Sequence, residues 1–190
     1  MTLRRPRRAP PLSELDTFDD SGKRISIVIE TPKGARTKLA YDAAIEAFVV
    51  KKVLPEGMTF PFDFGFIPST MGQDGDPLDV LVLMDEPVGS GSVVPARLIG
   101  VIEARQTEQD GSSEENDRLV AVSDACQLFA DVTKLADLPE SVTTQIERFF
   151  VSYNAQEGKT FKPLGRHGRH RARADLDAGR RKFQKKSRSK

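Results

Sequence analysis

Four phenylalanines stand at every second position, Phe60, Phe62, Phe64 and Phe66, and the chain then crosses an acidic turn, Gln73-Asp74-Gly75-Asp76-Pro77-Leu78-Asp79, into the apolar run Leu78 to Met84. Period two is the side-chain period of extended backbone, so all four rings are expected on one side of a strand. The sequence from 25 to 122 reads the same way. Ile25 to Glu30 is a β-branched strand that ends at Thr31-Pro32-Lys33-Gly34, a turn. Lys38 to Tyr41, Ile45 to Val50, Val93 to Ala104 and Arg118 to Val122 read as further strands. Residues 106–117, QTEQDGSSEEND, read as a loop.

After residue 130 the period changes. Val142, Ile146, Phe149, Phe150 and Tyr153 share one helical face, which predicts an amphipathic helix over about 139–153. Asp137-Leu138-Pro139-Glu140 offers it a capping Asp, an early Pro and a Glu three residues on. A second helix is expected near 171–184, with Leu176 and Phe183 inward. Strands first and helices last make the class α+β, a small antiparallel β-barrel with flanking C-terminal helices. Residues 1–22 are expected to be a flexible basic and polar arm, 23–184 the folded domain and 185–190 a basic tail.

Charge divides along the chain. Residues 1–8 hold four arginines, and residues 162–190 hold twelve Lys or Arg against two Asp, leaving 13 basic and 26 acidic residues between them. An acidic body suits divalent cations. Docking of the basic C-terminal helix onto that body is the simpler expectation for the tail, ahead of nucleic-acid contact through phosphates or metal binding by His167 and His170. One cysteine, Cys126, allows no internal disulfide and fits a cytoplasmic setting, with core packing its expected role. No apolar run approaches the roughly 18 residues of a membrane span, and no apolar segment follows the basic N-terminus as a secretory signal requires.

The densest chemistry is Asp74, Asp76 and Asp79. Three carboxylates within six residues repel one another unless a cation or proton intervenes, and clustered hard oxygen ligands suit Mg²⁺ or Mn²⁺. A solvated acidic turn is the alternative. It is weakened because the cluster runs straight into an apolar strand.

DGDPLDVLV, preceded by FPFDFGFIPSTMGQ, resembles the motif region of soluble, family I inorganic pyrophosphatases. The resemblance extends from about Ile25 to Phe183 and takes in IVIETPKGARTKLAYD, GSVVPARLIGVIEA, RLVAV and LPESVTTQIERFFVSY. It implies a five-stranded barrel of the oligonucleotide-binding (OB) type and metal-dependent hydrolysis of pyrophosphate to two phosphates, with Mg²⁺ as the expected cofactor. It also implies a homo-oligomer, hexameric in many bacterial members. Carried over residue by residue, Asp74 and Asp79 fall at metal-ligand positions, and Asp76 at the position of the base that activates the attacking water. Glu30 and Asn116 fall at positions that support or bind metal. Lys38, Lys52, Arg118 and Tyr153 fall at phosphate-binding positions.

The chain also departs from the family pattern. Ala40 replaces a glutamate, Lys52 an arginine, and Phe60 and Phe64 two tyrosines. Gln106 and Asn116 replace two metal-binding aspartates, Arg118 a lysine, and Asn154 the lysine after Tyr153. Asp117, Glu108 or Asp110 are candidates to restore a lost carboxylate. Two readings follow: a pyrophosphatase, or a catalytically impaired relative that binds a phosphate ligand or serves as an interaction module.

Overall fold

The computed structural model describes residues 9–188. The arginines at 4–8 and the tail residues 189–190 lie outside them. Among the described residues nine strands and two α-helices follow one another as β1 (Ile25–Thr31), β2 (Thr37–Asp42), β3 (Ala47–Val53), β4 (Asp63–Ile67), β5 (Leu78–Leu83), β6 (Val93–Thr107), β7 (Ser113–Glu115), β8 (Arg118–Ser123), α1 (Glu140–Ala155), β9 (Thr160–Gly168) and α2 (Arg169–Arg188).

Five strands form a ring in the order β1-β4-β5-β8-β6, joined again by pairing of β1 with β6. This is the α+β, OB-type arrangement. One pairing departs from the expected antiparallel ladder, since β5 and β8 run parallel. A parallel pair needs a long crossover, and the β6 and β7 excursion supplies it. The 15-residue β6 outlasts the ring, and its far end pairs with β7 and β9. β2 and β3 form a separate hairpin.

The apolar run of β5 is explained by burial on both faces. Leu81 and Leu83 join a cluster with Phe62, Ile99, Ile146 and Phe150, whereas Val80 and Val82 join a second cluster with Ile27, Ile29, Ala172 and Leu176. α1 therefore covers one side of the sheet and α2 the other. Phe60, Phe62 and Phe64 share the first cluster, and Phe66 instead stacks on Tyr41 of the hairpin at 5.9 Å. Cys126 is also part of that cluster.

Three elements depart from the expectations of the sequence. Within the stretch 106–117 read as a loop, β7 (Ser113–Glu115) pairs with the far end of β6, whose partner strand the polar composition hides. β9 lies where no strand was predicted, because Pro163, Gly165 and Gly168 break the pattern; it pairs only with β6, so its missing N–H is tolerated at an edge. Asp137 does not cap α1, whose N-cap is Pro139. Its carboxylate instead accepts from the backbone N–H groups of Thr133 and Lys134, at 3.0 and 3.1 Å. Ahead of β1, Thr17 Oγ1 donates to the carbonyl of Pro68 and Ser69 Oγ to that of Leu15. At the other end α2 continues past 184 to Arg188.

Candidate active site

The turn between β4 and β5 carries the acids, and its shape is locally fixed. Asp74 Oδ1 accepts from the N–H of Asp76 at 3.0 Å, and the N–H of Gly72 donates to the Asp76 carbonyl at 2.7 Å. Gly75 between them has φ +92°, a left-handed conformation that costs glycine little. The turn is anchored from outside by α2, where the N–H of Met71 donates to the carbonyl of Gly179. A Cβ at Gly179 would fall 2.7 Å from Leu78 Cδ1, so glycine lets α2 lie this close without pushing that side chain aside. Asp79 is set by register, opposite Phe66 in the β4–β5 ladder.

These acids open on a cavity of about 980 Å³. Of the sequence-predicted site residues, Glu30, Lys38, Asp74, Asp76, Asp79, Arg118 and Tyr153 line it. Glu30 is buried; it accepts from Lys38 Nζ at 3.1 Å and from the N–H of Tyr41 at 2.7 Å. Burial, the largest influence, raises its pKa against the pull of Lys38. Lys38 Nζ lies over the Phe64 ring at 4.1 Å, so a ring face now holds the ammonium. Asp76 is exposed at the cavity mouth, and its carboxyl titrates above the ordinary range. The causes are partial desolvation first, then the charges of Asp74 and Asp79. The phenol of Tyr153 is pushed well above its usual range by burial and so stays protonated.

Two predicted residues lie outside this cavity. Lys52 stacks its Nζ on the Tyr153 ring at 3.4 Å and pairs with Glu157 at 2.7 Å. The hairpin register explains its place: Lys38 pairs with Lys52 but Leu39 with Val50, so the ladder skips Lys51. Lys51, which sequence reasoning passed over, lines the cavity instead. Asn116 lines a smaller adjoining cavity of about 150 Å³, which shares Asp74, Asp79 and Arg118 with the first.

Three of the substituted positions form one connected chain. Asn116 Nδ2 donates to Gln106 Oε1 at 2.7 Å, Arg118 Nη1 donates to Asn116 Oδ1, and the same nitrogen pairs with Asp79 Oδ2 at 2.9 Å. Arg118 is buried, stacks on Phe150 at 4.9 Å, and has an Nε without a partner. Asp117 is directed to β6 and α2, accepting from the N–H of Ala104 and pairing with Arg171. Asp110 is held by Ser112 within its own turn and lines neither cavity, while Glu108 pairs with Lys159. Lys186 was also missed. It reaches the cavity from the last turns of α2, a placement that no local pattern announces.

Among the described residues no three His, Cys, Asp or Glu side chains are gathered closely enough to hold an ion by themselves. The donor set still suits Mg²⁺, which retains several waters and is commonly held by one or two carboxylates plus substrate phosphates. Desolvation first, and then the charges of Asp74 and Asp79, lift Asp76, and a divalent cation bound beside them would relieve that repulsion.

A five-strand ring bearing an acidic turn, with lysine and arginine in the facing wall, defines a protein built to handle phosphate with a divalent ion. The family model for inorganic pyrophosphatase matches residues 27–184. The inorganic pyrophosphatase of Thermus thermophilus is 36% identical over 151 residues, 80% of this chain and 83% of the relative. That of a Nostoc species is 38% identical over 141 residues, 74% and 80% of the two chains. A crystal structure of the Thermus thermophilus enzyme superposes with a TM-score of 0.82 at 32% identity, covering 92% of this chain and 99% of the other. A Helicobacter pylori inorganic pyrophosphatase gives 0.79 at 31%, covering 90% and 98%. The chain belongs to the inorganic pyrophosphatase family.

Proposed function

We propose that this chain hydrolyses inorganic pyrophosphate to two phosphates in a divalent-metal-dependent reaction. The observation that carries the reading is the meeting of Asp74, Asp76 and Asp79 with Lys38 and Arg118 around one cavity. Asp74 and Asp79, with Glu30 and Asn116 behind them, are the residues to hold the cation. When bound, Mg²⁺ or Mn²⁺ neutralises phosphate charge and lowers the pKa of water.

Asp76 then serves as the base. Its pKa, raised by desolvation and by Asp74 and Asp79, makes it a stronger base toward the attacking water than an ordinary aspartate. The water oxygen bonds to one phosphorus, the bridging P–O bond breaks, and the leaving phosphate departs with the electron pair. Lys38, oriented by Glu30, faces the substrate as a cation. Arg118 offers donors that its Nη1 contacts leave free, and Tyr153 offers a neutral hydroxyl. Lys52 contributes by fixing the Tyr153 ring. Preorganised charge of this kind is the main source of rate in phosphoryl transfer.

Phosphate release from Mg²⁺-pyrophosphate, with Asp76→Asn as control, tests this. A parent protein no faster than the control would end the proposal. Cytoplasmic residence, and assembly into a homo-oligomer on the hexameric pattern of bacterial members, belong to the same reading. So does a folded unit over about 23–184. Among the described residues no helix is long and apolar enough to cross a membrane.

A further inference from the structure

α2 begins in a way that its own dipole opposes. Its first five residues are Arg169, His170, Arg171, Ala172 and Arg173, with no acid in the first turn. The N-terminus of a helix carries partial positive charge and disfavours cations placed in its first turn. Arg171 is compensated by Glu103 at 2.7 Å and Asp175 at 3.0 Å. The other cationic side chains of this turn face elsewhere.

Arg169, His170 and Arg173 line a cavity of about 390 Å³, and Lys23, Arg24 and Arg97 line it with them. No carboxylate is in its wall, and none of its residues lines the pyrophosphate cavity. Compensation comes only from outside the wall. Asp124 pairs with Arg24 at 2.5 Å and Arg97 at 4.0 Å, and Asp177 with Arg173 at 3.2 Å. The side chains of Lys23, Arg169 and His170 make no ion pair or hydrogen bond to other described residues.

The pocket is preformed. Arg97 donates to the carbonyls of Phe129, Ala130 and Val132, at 2.7, 2.8 and 3.0 Å. Arg173 is held over the Phe18 ring at 4.8 Å. Phe18, Ile25, Ala96 and Leu98 give the cavity an apolar part. A cationic wall beside an apolar patch, in a volume typical of small-ligand sites, selects an anion that carries an organic group.

We propose that this cavity is a second site, separate from the pyrophosphate site, for a small phosphorylated molecule. The phosphate offsets the repulsion among Lys23, Arg169 and the first turn of α2, and the organic part rests on the Phe18–Leu98 side. A pocket of this size, with its cations gathered around one apolar patch, suits such a ligand better than a nucleic-acid backbone, which calls for an extended basic track.

Calorimetric titration of the full chain with ADP and with inorganic phosphate, at low salt and with chelator present, tests the proposal. The variants are Lys23→Glu/Arg169→Glu, at two exposed side chains, and Lys38→Gln in the pyrophosphate cavity. ADP affinity is expected to fall about tenfold or more in the double variant, to hold in Lys38→Gln, and to weaken as salt rises. Circular dichroism and unchanged pyrophosphate hydrolysis check that the double variant is folded. Binding of ADP without free phosphate, or of both, separates use of the apolar part from use of the cationic wall alone; either supports the site. The proposal is overturned if neither probe binds, if the double variant binds as the parent does, or if Lys38→Gln is the variant that loses ADP. It is equally overturned if a DNA duplex outcompetes ADP and is lost with the same double variant.

Discussion

Arg118 and Asp79 face each other at 2.9 Å in the wall shared by the two acidic cavities, so a fixed guanidinium neutralises a carboxylate of the DGDPLD turn. Removing the guanidinium leaves Asp79 uncompensated and empties space beside Phe150. Breaking a fully buried pair costs about 3–5 kcal/mol. The Asp79 side chain is 35% exposed, so solvent screens part of the loss. We expect Arg118→Gln to destabilise by about 1–3 kcal/mol in urea, with KM for pyrophosphate raised. An unchanged urea midpoint would show that the pair contributes nothing.

Asp76→Asn should separate activity from stability. The acid is raised by desolvation and by Asp74 and Asp79, so the folded chain binds its proton more tightly than the unfolded chain does. By linkage, this group's contribution to stability declines as pH rises through the raised pKa. Replacing it by a neutral amide removes that loss, and the variant should melt higher than the parent at neutral pH. Turnover should fall by about 10²–10⁴-fold, and the acid limb of the parent's rate profile should lie above the ordinary aspartate range. A variant that melts lower, with its rate intact, would contradict both halves.

Lys38→Met leaves Glu30 buried without its cation. The side chains are 13% and 9% exposed, so little solvent screens the loss, and we expect about 3 kcal/mol of destabilisation at neutral pH. Burial already raises Glu30, and without Lys38 it rises further. The variant should therefore recover relative to the parent as pH falls and Glu30 takes up its proton. Parallel urea melts across that range check the sign; a gap that widens in acid rules it out.

Divalent-ion titration distinguishes the carboxylate candidates. Asp110 is held in its own turn by Ser112 and lines neither cavity, so Asp110→Ala should bind Mg²⁺ as the parent does. Gln106→Asp/Asn116→Asp places two carboxylates beside Arg118, where an amide pair now bonds to itself. It should bind Mg²⁺ more tightly, in a calorimetric measurement without substrate. Weaker binding would show that Arg118 captures the added charge.

Gly179→Val places a branched side chain against Leu78, whose Cδ1 is already 2.7 Å from the position of a Cβ. Overpacking of this kind costs about 1–3 kcal/mol. Because the Gly179 carbonyl also holds Met71, the acidic turn should shift with the helix. Lower stability together with a lower rate is expected. A fall in stability with the rate unchanged would separate the turn from α2.

Much of this molecule is legible one residue at a time. Alternation at Phe60–Phe66 and the run from Leu78 fix extended backbone, and the apolar stripe from Val142 to Tyr153 fixes α1, because both periods follow from local geometry. The acids of the turn announce their chemistry by crowding. β9 was hidden, since Pro163 and its glycines carry no period and an edge strand depends on β6 rather than on its own composition.

The sequence by itself determined most of the strands, both helices, and that three carboxylates share one turn. Only the tertiary structure decided which charges meet them. A skipped residue in the β2–β3 ladder puts Lys51 rather than Lys52 in the cavity wall. The path of α2 brings Lys186 to the cavity and leaves Arg169 and Arg173 at a second one. The bond from Arg118 to Asp79 spans 39 positions of chain. Charges act through space, and spacing along the chain does not encode a distance between elements that only packing brings together.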